Sequence, residues 1–262
     1  VHTDAIDFTL TFTKKGAVSM IRSPFPNLTI NNVERYNRQI ILPELGEKGQ
    51  QRLKQAKVLI VGVGGLGSPA ALYLAGAGIG TIGLIDDDVV SISNLQRQVL
   101  YSEAEVGMPK AIQAQKRLEA LNRDVQINAY PTRLTKENAD EIIRAYDIVI
   151  DGCDNFATRY LINDTCVKWG KVYVYGAIRA FDGQVSVFNY QGGPDYRHFF
   201  PDETEMLSMP HPPKGVLGVT PGMVGCAEAA EVLKIIGGYG EVLSGKLWII
   251  DLKTMATHLI SF

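Results

Sequence analysis

The sequence predicts an α/β fold with a Rossmann-like, mostly parallel sheet, helices on both faces, and a continuation of the sheet by antiparallel strands. From residue 33 onward, short apolar segments alternate with helical segments, which is typical of parallel sheets. The first strand ends in a glycine-rich turn that opens a helix, a connection common in such sheets. Residues 172–190 contain two strand-like segments with no helix between them, so these strands are expected to pair antiparallel.

The predicted elements follow one another in regular order. Predicted strands cover 57–62, 81–86, 125–129, 148–152, 172–177, 184–190, 246–251 and 255–261. Predicted helices cover 33–41, 45–55, 65–78, 109–122, 136–146, 155–169 and 221–236, with Pro109 expected in the first turn of its helix. Asp182 and Gly183 predict a turn, and residues 191–219 are predicted to form a proline- and glycine-rich loop.

The first 32 residues do not share this pattern. Residues 6–12 have the composition of a strand, and residues 23–27 predict a turn-rich linker. We therefore treat 1–32 as an appendage or tag of unknown role and 33–262 as one domain.

Composition excludes several classes of protein. The 262 residues are 46% apolar and carry a net charge of −2 without a basic stripe, which argues against a nucleic-acid partner. Three scattered cysteines favour a reducing, cytoplasmic location over a disulfide framework. Residues 58–85 carry no charge, but their many glycines predict a buried strand, turn, helix and strand, and no membrane association is expected. No signal peptide is visible at the start of the sequence.

The glycine-rich turn after the first predicted strand indicates a nucleotide. Gly62, Gly64, Gly65 and Gly67 allow the backbone to turn tightly and approach a phosphate, and the following helix supplies free N–H groups. Asp86 ends the next strand, at the spacing of an acid that contacts ribose hydroxyls. This pattern serves NAD, FAD and ATP alike, so it does not identify the nucleotide.

Basic residues favour a triphosphate over a dinucleotide. Arg38, Arg97 and Lys110 could stabilise a leaving pyrophosphate, whereas a dinucleotide is held mainly by backbone amides. Lys110 lies in the first turn of a predicted helix, where the helix dipole disfavours a cation by about 0.3–1 kcal/mol. A neighbouring negative group is therefore expected, and a phosphate would supply it.

Carboxylates follow the strand at 148–152. Because ligands bind beyond the carboxyl ends of strands in open α/β sheets, Asp154 is a candidate Mg²⁺ ligand beside the triphosphate. Alternatively, Asp154 or Asn155 caps the next helix, and both roles can coexist with Asn155 as the cap and Asp154 facing the metal. Asp151 could equally be a buried partner of the turn.

Five segments together resemble a known family. They are ERYNRQI (34–40), GVGGLGSP (62–69), LIDDDVVSISNLQRQVLY (84–101), VGMPKA (106–111) and DGCDNFATR (151–159). They occur in the order and spacing of the ThiF/MoeB-type adenylating enzymes, in the superfamily of ubiquitin-activating enzymes. The resemblance covers about residues 33–262, which are accordingly expected to form an ATP-binding adenylation domain.

The resemblance implies a reaction and its partners. ATP and Mg²⁺ would be used to adenylate the C-terminal Gly-Gly carboxylate of a ubiquitin-like sulfur-carrier protein, with release of pyrophosphate. The carrier would serve thiamin or molybdopterin biosynthesis. Such enzymes are typically homodimers, so a homodimer is expected here.

The resemblance also implies residue roles. Gly64, Gly65, Gly67, Asp86 and Gln98 would bind the nucleotide, with Asp86 on the ribose. The catalytic group would comprise Asn94, Arg97, Lys110 and Asp154, and Asp154 would also bind the metal. Arg38 would reach the nucleotide of the neighbouring subunit.

Two departures from the family pattern affect other chemistry. Asp195 and His198 occupy the position of a CxxC zinc pair, so no zinc is predicted and His198 is assigned a structural or surface role. His211 stands where some relatives carry a reactive cysteine. Cys166 and Cys226 are expected to be packing residues, and Cys153 is not expected to act as a nucleophile.

Several alternatives remain open. An NAD-dependent oxidoreductase would share the glycine turn but would not explain Arg38, Arg97 and Lys110 together. The same fold could adenylate a small molecule or a tRNA base, although the absence of a basic patch disfavours tRNA. An inactive binding scaffold is the third alternative.

Overall fold

Short apolar segments form the strands of one large sheet. The computed structural model describes residues 9–12, 18–21, 30–209 and 215–262. The main sheet contains β3 (Lys57–Val61), β4 (Thr81–Ile85), β5 (Gln126–Tyr130), β6 (Ile148–Asp151), β7 (Val172–Arg179), β8 (Asp182–Phe188), β9 (Lys246–Asp251) and β10 (Ala256–Ser261), whereas β1 (Thr9–Phe12) and β2 (Val18–Ile21) pair with each other.

Helices connect most of the strands. They are α1 (Ile30–Ile40), α2 (Gly46–Gln55), α3 (Gly67–Ala77), α4 (Lys110–Leu121), α5 (Ala139–Arg144), α6 (Phe156–Trp169), α7 (Tyr196–Phe199), α8 (Glu203–Ser208) and α9 (Val219–Gly237). Single turns of 3₁₀-helix at Ile92–Asn94 and Glu103–Glu105 lie between β4 and α4.

The strand order locates a crevice. The sheet runs β10-β9-β8-β7-β6-β3-β4-β5, and the strands from β5 to β7 are parallel. From β7 outward to β10 the pairing is antiparallel. The chain order reverses between the neighbours β3 and β6, and such a switch point opens a ligand crevice at the carboxyl ends of the strands. The predicted fold class is confirmed.

Alternate side chains of β3 enter two separate cores. Val58 and Ile60 pack with apolar residues of α3, α4 and α9 on one face, whereas Leu59 and Val61 pack with residues of α5 and α6 on the other. All four side chains are buried. Burial on both faces explains why the strand is continuously apolar instead of alternating.

The turn predicted at Asp182 and Gly183 is wrong. Arg179 pairs with Asp182, so the turn is made by Ala180 and Phe181. The Ala180 carbonyl accepts hydrogen bonds from the Leu217 N–H and the Thr220 hydroxyl, at the start of α9, and these bonds fix the turn. Gly183 lies within β8, where it pairs with Ile178. The position requires glycine because a β-carbon there would collide with Val224 Cγ2 of α9.

Two other predicted boundaries differ from those in the structure. Pro109 is the residue that precedes α4 and not part of its first turn, which begins at Lys110. The loop predicted at 191–219 contains α7 and α8, whose first turns are capped by Asp195 and Asp202. Residues 210–214 of that loop lie outside the described residues.

The predicted appendage at 1–32 is described in part. Of the strand expected at 6–12, residues 9–12 form β1. The linker predicted at 23–27 lies outside the described residues. Helix α1 begins at Ile30 and so crosses the predicted boundary between the appendage and the domain.

Candidate nucleotide-binding site

The glycine loop between β3 and α3 is shaped by contacts that no side chain would allow. Gly62 has a φ of +89°, which favours glycine. A β-carbon on Gly67 would collide with the Gly62 carbonyl, so the loop closes tightly on itself. Helix α3 then begins without a side-chain cap at Leu66. Ser68 donates its N–H to the Gly64 carbonyl at 3.0 Å and Pro69 has no N–H, so an anion here would be bound by N–H groups that precede Ser68.

The loop after β6 lies directly against the glycine loop. The Gly152 N–H donates to the Val61 carbonyl at 2.8 Å. A β-carbon on Gly62 would lie 2.6 Å from the Gly152 carbonyl oxygen, and one on Gly152 would collide with the Gly62 carbonyl. Asp154, two residues further on, is therefore held at the carboxyl edge of the sheet next to the glycine loop.

Asp86 ties the end of β4 to the glycine loop. One carboxylate oxygen accepts the Val63 N–H at 2.8 Å, and the other accepts the Asp88 N–H at 2.9 Å. Burial raises the pKa of this carboxyl, although both hydrogen bonds and Lys110 favour its ionised form. Each oxygen retains a lone pair that can accept a hydroxyl of a ribose.

Arg97 and Gln98 lie next to the glycine loop. A β-carbon on Gly64 would lie 3.4 Å from Gln98 Nε2, and one on Gly65 would lie 3.6 Å from Arg97 Cδ. The Asn94 carbonyl accepts the N–H groups of both residues, at 3.0 and 2.9 Å, so Asn94 turns the chain that presents them. Among the described residues, Gln98 Oε1 is buried without a hydrogen-bond partner.

Lys110 supplies a buried cation at the start of α4. Its Nζ donates to Asp88 Oδ2 at 2.8 Å, and the exposed fractions of the two side chains are 5% and 68%. Tyr101 joins this lysine to the glycine loop, since its hydroxyl lies 2.8 Å from the Val63 carbonyl and 3.4 Å from that of Lys110. The negative partner expected for Lys110 is therefore Asp88, whose exposed carboxylate leaves room for rearrangement around a phosphate.

The structure distinguishes the alternatives for the residues around Asp154. Asn155 caps α6 by accepting the Thr158 N–H at 2.9 Å, and Asp151 is fully buried. Asp154 itself is exposed. No group of three or more metal-binding side chains occurs in the ranges that the structure describes, so a Mg²⁺ ion at Asp154 would take further oxygen ligands from phosphates and water. A single exposed carboxylate beside the glycine loop fits that kind of coordination.

Arg38 is not brought to this site within one chain. Helix α1, which carries Arg38, packs against the carboxyl ends of α3 and α4. These lie at the amino ends of β4 and β5, opposite to the carboxyl ends where the glycine loop lies. Tyr36 of α1 contacts Gly78 and its hydroxyl accepts a hydrogen bond from Asn122 at 2.8 Å. Arg38 is exposed on this helix.

Sequence reasoning missed Asp88, Tyr101, Arg159 and Glu228. The first three lie inside the motifs quoted above, so their positions were visible although their contacts were not. Arg159 pairs with Asp151 at 3.0 Å. Glu228 has no such signal, because a glutamate within a helical segment is expected to face solvent.

The remaining candidates have structural roles. Asp195 accepts the backbone N–H of His198 at 2.8 Å as the cap of α7, and the His198 side chain is exposed. The Cys153 thiol donates to Asp151, and burial together with this carboxylate raises its pKa, which makes it a poor nucleophile at neutral pH. Cys166 is buried in the core, and His211 lies outside the described residues.

The fold and site define a nucleotide-binding protein of the Rossmann-like class. A family model described as the ThiF family matches residues 36–261, and the chain belongs to that family. The resemblance inferred from the five motifs is thereby confirmed. None of the helices in the described ranges has the length and apolar character needed to cross a membrane.

Named relatives share about half of their aligned residues with this chain. The sulfur carrier protein adenylyltransferase of Thermus thermophilus is 51% identical over 229 residues, which are 85% of this chain and 84% of that protein. The probable molybdopterin-synthase adenylyltransferase of Porphyra purpurea is 49% identical over 86% of this chain and 59% of the relative. The mouse adenylyltransferase and sulfurtransferase MOCS3 is 47% identical over 87% and 50%. The chain thus spans only part of the last two proteins.

Solved structures share the architecture at lower identity. The crystal structure of PaaA has a TM-score of 0.77 at 26% identity, and the match covers 91% of this chain and 76% of the PaaA chain. The structure of E. coli MccB with ATP has a TM-score of 0.74 at 27% identity, with coverages of 87% and 71%.

Proposed function

We propose that this chain uses ATP to adenylate the C-terminal Gly-Gly carboxylate of a ubiquitin-like sulfur-carrier protein, with release of pyrophosphate. One observation carries the proposal: Arg97 and Gln98 lie on a glycine loop that also contacts the segment bearing Asp154. Lys110 is joined to the same loop through Tyr101. Relatives named as adenylyltransferases of sulfur carriers and molybdopterin synthase support the same reaction.

The chemistry requires positioning and positive charge more than acid–base catalysis. A carboxylate is ionised at neutral pH and can attack the α-phosphorus directly, while the bond to pyrophosphate breaks. Negative charge then develops on the leaving group, and Arg97 and Lys110 can stabilise it. Asn94, Gln98 and the glycine loop orient the nucleotide, and Asp86 binds its ribose. Asp154 would hold Mg²⁺, which would supply further charge neutralisation.

The finer assignments belong to the same proposal. The chain acts as a homodimer in which Arg38 reaches the nucleotide of the neighbouring subunit, since its own site lies at the other end of the parallel strands. Molybdopterin biosynthesis is favoured over thiamin biosynthesis by the names of two relatives, the probable molybdopterin-synthase adenylyltransferases of Porphyra purpurea and Pyropia yezoensis. We assign a cytoplasmic location, with which the three free thiols are compatible.

The test is ATP–pyrophosphate exchange measured with and without a sulfur-carrier protein that ends in Gly-Gly. We expect carrier-dependent exchange, and we expect Lys110→Ala to lower it by at least about a hundredfold because a buried cation at the leaving group is lost. The exposed Lys116→Ala on the same helix is the matched control and should exchange at the wild-type rate.

Two other outcomes separate the alternatives. Tight ATP binding without exchange on any carrier would favour a small-molecule acceptor or an inactive scaffold. Failure to bind ATP would rule out the proposal. The alternative would then be a dinucleotide-binding protein, and titration with NAD would test whether it binds that dinucleotide.

A further inference from the structure

An ion pair is buried beneath the loop that carries Asp154. Arg159 Nε donates to Asp151 Oδ2 at 3.0 Å, and the exposed fractions of these side chains are 8% and 0%. Asp151 is the last residue of β6, and Arg159 lies in the first turns of α6. The pair therefore bridges the two elements that flank the loop.

Both polar backbone groups of Cys153 are held by this pair. Asp151 Oδ1 accepts the Cys153 N–H at 3.0 Å. Arg159 Nη2 donates to the Cys153 carbonyl at 3.2 Å. That carbonyl belongs to the peptide that leads into Asp154, so the backbone orientation of Asp154 is set by the ion pair.

Surrounding groups restrict the pair in turn. Tyr173 donates its hydroxyl to Asp151 Oδ2 at 2.8 Å, and Arg159 Nη2 lies 3.5 Å from the Gly176 carbonyl. The guanidinium group also lies 5.4 Å from the Tyr175 ring and 5.7 Å from the Phe156 ring. Strand β7 and helix α6 thus fix the position of Arg159 from two sides.

A buried pair of this kind needs an explanation other than stability. Removing two charges from water offsets much of their attraction, and apolar replacements of similar size often stabilise a protein equally well. A guanidinium fork, in contrast, can bind a carboxylate and a carbonyl at once in a fixed geometry, which a lysine ammonium cannot. Positioning of the adjacent loop accounts for the arrangement.

We propose that Arg159 is a positioning residue that, through Asp151 and the backbone of Cys153, holds Asp154 ready to bind the metal of the metal–ATP complex. This inference rests on the proposed function, because it takes Asp154 as the metal ligand. Arg159 acts through other groups and has no assigned contact with the substrate.

The experiment compares equilibrium binding of a non-hydrolysable ATP analogue with and without Mg²⁺ by titration calorimetry. Arg159→Lys keeps the charge but loses the fork, and we expect the gain in affinity that Mg²⁺ provides to fall by about tenfold, as for changes around other metal ligands. Affinity measured without Mg²⁺ should stay within about twofold, because the glycine loop is intact. Arg197→Lys is the matched control, since Arg197 makes a forked pair with Asp164 instead.

Asp154→Asn distinguishes failure of the inference from failure of the proposed function. If Asp154→Asn keeps the full Mg²⁺ gain, Asp154 is not the metal ligand and that part of the proposed function fails. If Asp154→Asn loses the gain but Arg159→Lys keeps it, the positioning role is overturned.

A measurement on the wild-type protein covers the case in which Arg159→Lys does not fold. Amide hydrogen exchange at Cys153 should be slow in the absence of nucleotide and metal, and it should change little when both are added. Rapid exchange that becomes slow only with the ligand would mean that the loop is not organised in advance, and the inference would be overturned.

Discussion

At the scale of single residues, Glu228 is the least expected feature of the domain. Both of its carboxyl oxygens are buried without a hydrogen-bond partner among the described residues, and the carboxyl group packs against the α-carbon of Gly176. Burial raises its pKa well above the ordinary value, and Asp151 adds to this effect while Arg159 opposes it. The folded protein therefore keeps a proton on Glu228 to a higher pH than the unfolded chain does.

The sign of this shift predicts how stability depends on pH. The contribution of a raised carboxyl pKa is fully present below the pKa of the unfolded chain and is lost as pH rises through the folded pKa. Glu228→Gln matches the protonated form in shape but cannot ionise. We expect its advantage in unfolding free energy over wild type to be larger at pH 8 than at pH 5. Urea unfolding at the two pH values measures it, with the exposed Glu119→Gln as control. Equal advantage at both values would contradict the prediction.

At the scale of elements, helix α6 depends on its cap. Asn155 accepts the Thr158 N–H, and its neighbour Asp154 carries the proposed metal-binding carboxylate. We expect Asn155→Ala to lower the unfolding free energy by about 0.5–2 kcal/mol, because one N–H of the first turn loses its partner. Asn155→Ser retains a capping oxygen and should stay within about 0.5 kcal/mol of wild type in the same denaturation experiment. Equal stability of the two variants would show that the cap contributes nothing.

The elements also show what the sequence could and could not predict. Apolar strands and the glycine turn follow from local chemistry, so β3, β4, β6 and β9 lie within one residue of their predicted ends. The turn predicted at Gly183 was wrong because the position requires glycine for a contact that is distant in sequence. Val224 of α9 occupies the space that a side chain at residue 183 would need. The same holds for Glu228, whose environment is created by the packing of α9 on β7. Sequence spacing contains no record of such contacts.

At the scale of the whole molecule, Arg38 and the candidate nucleotide site lie at opposite ends of the parallel strands. If Arg38 completes the site of a partner subunit, two inactive variants should complement each other. A mixed dimer of Lys110→Ala and Arg38→Ala contains one site in which both residues are wild type. After unfolding and refolding an equal mixture, we expect about one quarter of wild-type exchange activity, since half of the dimers are mixed and each has one intact site.

The control for complementation is each variant refolded alone, which should remain inactive. Sedimentation of the mixture should report a dimer. An active Arg38→Ala variant, or a monomer that is fully active, would remove Arg38 from the site. Recovery near one quarter would instead establish that the nucleotide is bound between two subunits.

The contact between Gly62 and Gly152 also bears on how the domain folds. These two backbone segments shape each other, yet α3, β4, α4, β5, α5 and β6 separate them along the chain. Contacts between distant segments form late because closing a long loop costs conformational entropy. The glycine loop therefore has its final shape only in chains in which β6 has docked beside β3. ATP, which stabilises by mass action whatever species binds it, selects chains that have completed this docking over nascent or partly folded ones.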